Sequence, residues 1–102
     1  MVLHVMKWNV HPEKTEVYMN WADMAIKRSV TSKVVEFRAY RPITGSSQVV
    51  ATYEFTDIDS WAEWQKDENV QKVMNELRAL AHGISIEVWG PSPVAEKPVY
   101  FY

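Results

Sequence analysis

The chain has 102 residues, of which 47% are hydrophobic and 24% charged, with a formal net charge of −2. That length suits one domain, and the composition is that of ordinary globular proteins, which excludes extended disorder. The 11 Lys and Arg are scattered among 13 acids, so no basic stripe marks a nucleic-acid or acidic-membrane partner.

The first segment, VLHVMKWNV over residues 2–10, is rich in Val and Leu without helical spacing and reads as a strand. Pro12 follows, with the fixed φ favoured at a first helical position, and Glu13 suits the positive end of a helix dipole. A helix from about 13 to 29 is expected. Its polar positions Glu16, Asn20, Asp23 and Lys27 form one narrow stripe, so more than one apolar flank remains.

VVEFRAY (34–40) and QVVATYEF (48–55) alternate as two strands, and the RPITGSS turn between them predicts an antiparallel hairpin. On the second strand Val49, Ala51, Tyr53 and Phe55 share one face, with Val50, Thr52 and Glu54 on the other. TDIDSWAEW then opens a second helical region. Thr56, Asp57 and Ser60 are all competent caps, and Ser60 with Glu63 fits a capping box. A break near KDEN (66–69) is expected. Beyond it Val70, Val73, Met74, Leu77, Leu80 and Ala81 recur at helical spacing, and Gly83 is read as the stop. ISIEVW (84–89) is a fourth strand. Residues 90–102 form a proline-rich tail ending in an aromatic, strand-like tip.

The order β-α-β-β-α-β predicts an α+β, ferredoxin-like fold: a four-stranded antiparallel sheet with both helices on one face. The other face would carry Glu36, Arg38, Tyr40, Val50, Thr52 and Glu54, half apolar and poor in lysine. Such a face is costly to leave in water, and the simplest remedy is a second copy stacked sheet to sheet. A homodimer through the open sheet face is therefore expected, with Glu36, Arg38 and Glu54 as a solvated or intersubunit ion network and the tail against the partner.

No cysteine is present, which suits a reducing cytosol. The N-terminus lacks a basic region before an apolar run, and no stretch nears the roughly 20 apolar residues of a membrane helix. A cytoplasmic protein without membrane segments is the expectation. The three histidines lack metal-ligand spacing, so neither a metal nor another cofactor is expected. Nucleophile elbows, phosphate loops and paired carboxylates are also missing.

Taken together, the strand followed by VHPEKTEVYMNW, the hairpin and YEFTDIDSWAEWQKDENVQKVM resemble the dimeric α/β barrel superfamily, in its antibiotic-biosynthesis monooxygenase-like branch. The resemblance spans most of residues 2–89. It implies a dimer of stacked sheets, with a cavity between each sheet and its own helices. Cofactor-free monooxygenases of this type place an Asn and a Trp on the third strand and a Tyr shortly after. The matching positions here are Ala51, Phe55 and Trp61, none of which keeps the family's group. Haem-degrading members use an Asn on strand one, a Trp in the second helix and a His ten residues on. Here Trp64 matches, while the others fall near Met6 and Met74.

Trp61 and Trp64, three apart, can both face the sheet as core or as the wall of a pocket for a flat ligand. His4 shares one side of its strand with Met6 and Trp8. It is a satisfied core histidine, a dimer contact or, if that side faces the helices, a general base for a phenol or enol. His11 is read as capping and His82 as complementing the helix dipole. Methionines are commonly gap fillers, although Met74 is placed to approach a haem. The expected catalytic residue is His4, and the expected ligand contacts are Met6, Trp8, Phe55, Trp61, Trp64 and Met74. Three functions stay open: binding a flat apolar or aromatic molecule with cofactor-independent oxygenation, a non-catalytic binding or stress-response module, and a haem binder.

Overall fold

The computed structural model describes residues 1–45 and 48–101. Strand β1 runs Val2–Val10, a 3-10 turn covers Pro12–Lys14, and helix α1 covers Thr15–Ser29. Strands β2 (Glu36–Tyr40) and β3 (Val49–Phe55) form the hairpin, whose turn residues Ser46 and Ser47 lie outside the described residues. Helices α2 (Ile58–Lys66) and α3 (Glu68–Leu80) precede strand β4 (Ala81–Trp89). The strands form one antiparallel sheet in the order β2-β3-β1-β4, the ferredoxin-like plan.

Alternation along β1 decides what the helices cover. His4, Met6 and Trp8 point toward them, level with the buried row Val49, Ala51, Tyr53 and Phe55 of β3. The core continues through Tyr18 of α1, Trp64 of α2, and Val70, Val73, Leu77 and Leu80 of α3. Leu3, Val5, Lys7, Glu36, Arg38, Tyr40, Val50, Thr52, Glu54 and Trp89 border a shallow hollow of about 420 Å³ on the bare face. Arg38 is bonded to Glu36 of its own strand, so that pair is closed within the protomer.

Several local expectations are corrected. The α2 cap is Asp57, whose carboxylate accepts from the Ser60 amide at 2.8 Å, while Glu63 pairs with Lys33 instead of closing a capping box. That bonding to Ser60, backbone first, holds the Asp57 carboxyl below its ordinary pKa. The break near residue 67 is a second cap: Asp67 accepts from the amides of Asn69 and Val70 and starts α3. The α3 helix ends at Leu80, and β4 begins at once with Ala81, tied by the His11 amide donating to the Leu80 carbonyl.

Gly83 lies inside β4 at φ 61°, so it is no helix stop. Between Lys7↔Ser85 and Asn9↔His82 the register gains one residue on β4, a bulge whose left-handed residue favours glycine. An added Cβ there would also stand 3.2 Å from the Asn9 side-chain nitrogen, Nδ2. The bulge resets the alternation, so Ala81 and Ile84, an odd number apart, both meet the core. His82 is consequently a strand residue. Its ring stacks on His11 with centroids 5.1 Å apart, and the His11 side chain forms no cap. Beyond β4 an isolated bridge joins Ser92 and Ala95; the described tip is irregular, with Val99, Tyr100 and Phe101 exposed.

Candidate functional site

The helices do not reach the β4 edge. Ile86 and Val88 stay 50% and 41% exposed, although their register partners on β1, Met6 and His4, are buried. The gap between the α2–α3 corner and β4 is a groove of about 360 Å³. Its floor is His4, Met6, Ile84 and Ile86, with Trp64 at one end and Met74 and Leu77 along α3. Gln71, Asn75 and Arg78 form the rim, and the Arg78 guanidinium donates to the Asn75 side-chain oxygen.

Trp64 anchors the site. It is 2% exposed, and its indole N–H donates to the Ser29 carbonyl at 2.8 Å. The Ser29 hydroxyl, itself fully buried, pairs with the Tyr53 hydroxyl at 2.9 Å. Thus the last turn of α1 fixes two aromatic rings that sit 4.7 Å apart by centroid. Burial raises the Tyr53 pKa and keeps the phenol neutral, while the bond to Ser29 opposes the shift.

His4 is 2% exposed, edge-on to Trp64 with centroids 5.0 Å apart. The Trp61 indole N–H donates to His4 Nδ1 at 3.0 Å, so Nδ1 is an acceptor and the neutral ring carries its proton on Nε2. Burial lowers the His4 pKa to about 4, and the imidazole is uncharged at neutral pH. This hydrogen bond changes what the ring can do. A base would have to accept a proton at Nδ1, which Trp61 occupies, whereas Nε2 carries a proton that it can donate.

The structure therefore brings His4, Met6, Trp64 and Met74 together around the groove. Trp61 supports the site from behind as the donor to His4. Trp8 lies deeper, beneath α1, and Phe55 is fully buried core against Trp64. Sequence reasoning missed Ile84, Ile86 and the rim. Gln71, Asn75 and Arg78 recur at i, i+4 and i+7, a polar helical stripe beside Met74 that could have signalled a mouth. Among the described residues no group of three or more His, Asp or Glu could hold a metal, and no helix is long and apolar enough to cross a membrane.

No protein-family model and no curated protein matches the sequence. Among solved structures the chain is similar to SnoaB, a cofactor-independent oxygenase from Streptomyces nogalater, at 20% identity and TM-score 0.68, covering 86% of this chain and 89% of that one. An antibiotic biosynthesis monooxygenase is similar at 9% identity and TM-score 0.76, with 91% and 100% covered. A conserved protein from Methanosarcina mazei gives 17% identity and TM-score 0.74, with 86% and 89% covered. At these identities the likeness establishes the fold: the chain folds as the antibiotic biosynthesis monooxygenase-like proteins do.

Proposed function

With that shared fold as premise, we propose that the protein binds a flat, largely apolar small molecule in the groove between α3 and β4. The ligand presents a carbonyl or enol oxygen to His4 Nε2–H. The observation that carries this reading is the buried, uncharged His4, its tautomer held by Trp61 beside an apolar floor. Met6, Ile84 and Ile86 supply contact area, Trp64 the aromatic end wall, and Gln71, Asn75 and Arg78 polar contacts at the mouth. A donor that meets an oxygen in a site poor in water stabilises negative charge as it develops there. The role suits an enolising or oxygenating reaction as well as plain binding.

The haem reading fits this geometry less well. An imidazole that ligates iron through Nε2 must carry its proton on Nδ1, where Trp61 already donates. The working form in this proposal is a cytoplasmic homodimer. Its seam is the bare face around Val50, Thr52 and Trp89, with the exposed Val99, Tyr100 and Phe101 of the tail against the partner.

Titration with a panel of flat phenols, quinols and aromatic ketones tests the reading through tryptophan fluorescence, with oxygen uptake followed in parallel. The expected result is saturable quenching that weakens about tenfold in His4→Ala, the effect of one lost hydrogen bond. Quenching absent across the panel, or unchanged in His4→Ala, rejects it. A Soret band on haem titration would favour the competing reading. Sedimentation at micromolar concentration tests the seam: a dimer is expected, dissociating in Val50→Arg.

A further inference from the structure

The groove is one-sided in charge. The chain carries 13 Asp and Glu against 11 Lys and Arg, yet no acid lines the groove and one guanidinium, that of Arg78, does. The two acids that flank Arg78 in sequence are turned away and engaged. Glu76 accepts from the Trp21 indole N–H at 2.9 Å and pairs with Arg28 of α1. Glu87 accepts from the Trp89 indole N–H, and its register partner Val5 borders the bare face. Among the described residues Arg78 therefore has no carboxylate partner, and its guanidinium donates instead to the Asn75 side-chain oxygen.

That bond steadies the guanidinium without neutralising it, and leaves most of its planar fork of donors unused. The helix dipole favours a cation in this last turn, which accounts for a positive charge on α3 but not for an acid-free groove. Position gives the charge a direction. Gln71 stands in the first turn of α3, and its side-chain amide donates to the Gln65 carbonyl of α2 at 3.4 Å. That is the end of the groove where Trp64 meets His4. Arg78 stands at the other end, in the last turn, roughly 10 Å of helix rise away.

We propose that the ligand of the groove is an acid. Its flat apolar body is about as long as that rise, its carboxylate is held by the Arg78 guanidinium, and its far end points toward Trp64 and His4. The inference rests on the binding function proposed above and names the ligand class for it. A guanidinium meets a carboxylate through two parallel N–H donors, so the contact fixes which end of the ligand enters first. Met6, Ile84 and Ile86 then lie beneath the rings between the two polar ends. Because Arg78 is exposed, water and salt weaken the attraction, and orientation is its larger consequence.

Matched pairs of probes separate the acid from its shape. Hydroxynaphthoic and anthracene carboxylic acids, each with its methyl ester, are titrated into the full chain by calorimetry at neutral pH. The acids should bind about fivefold tighter than their esters, with the ratio shrinking as salt is raised. Arg78→Gln should bring the ratio to about one, and Arg78→Lys should keep part of it. Lys72→Gln removes a charge from the same helix outside the groove and should leave the ratio intact. His4→Ala, at the other end, should weaken acid and ester alike. Esters that bind as tightly as their acids, a ratio that survives Arg78→Gln, or one that falls equally in Lys72→Gln overturns the proposal. The groove reading stands in each of those cases, because the ester still reports on it. Silence from acids and esters alike sinks the groove reading and this inference with it.

Discussion

The helix-covered side of the sheet has two halves that differ sharply. Under α1 and α3, the β3 row Val49, Ala51, Tyr53 and Phe55 is sealed, and Phe55 has no exposed surface. On the β4 flank the inward residues Ile86 and Val88 remain about half exposed. Both halves carry the same strand alternation, so pattern alone does not separate core from binding surface. What separates them is where the helix axes fall. Ser29 pins Trp64 over β3, and α3 then leaves β4 partly uncovered. Incomplete coverage beside a rigid aromatic cluster is a physical recipe for a pocket.

The largest test of that difference is paired truncation. Phe55→Ala should cost about 3–5 kcal/mol in urea denaturation, through lost transfer energy and a cavity. Ile86→Ala should cost under about 1 kcal/mol, because half of that side chain is already in water. Equal costs would erase the distinction between the halves.

The next effect is pH-dependent and centres on His4. Its pKa falls from 6.5 in the unfolded chain to about 4 in the native state. Between those values the unfolded state binds more protons, so native stability declines as pH falls through that window and is fully present above it. The contribution lost is roughly 3 kcal/mol from one such shift. His4→Gln should flatten the stability profile between pH 6.5 and 4, measured by denaturation at fixed ionic strength. A profile unchanged by that substitution would mean that the imidazole is not held neutral by burial.

The smallest effect concerns how α2 is held in place over the flank. Asp57→Ala should cost about 1 kcal/mol as a lost helix cap, and Ser60→Ala only a few tenths, because the Ser60 amide, kept in alanine, is the leading donor to Asp57. Reversed costs in thermal denaturation would restore the Ser60 box as the true start.

The residues differ in how far they could be read in advance. His4 and Met6 share a strand face by simple alternation, and Trp64 and Met74 each follow from the spacing of their own helix, so these four groove residues were legible. The Trp61–His4 bond was not, because it joins residues 57 positions apart and depends on how α2 is rotated. The bulge at Gly83 was also hidden. A glycine after a helical run reads as a stop, and only pairing with Asn9 shows an extra strand residue. Ile84 and Ile86 were assigned to a strand but not to the site, since their exposure depends on a helix ending short of them.

The order of strands and helices, the inward row of each strand and the apolar surplus of the sheet were determined by the sequence itself. Such features depend on chain-local periods of 2.0 and 3.6 residues, which need no knowledge of distant partners. Tertiary structure alone decided which inward residues were sealed and which lined a groove, and which nitrogen of His4 accepts the Trp61 N–H. Those outcomes depend on helix placement to within a side chain's width, a quantity that arises only when all the elements pack at once.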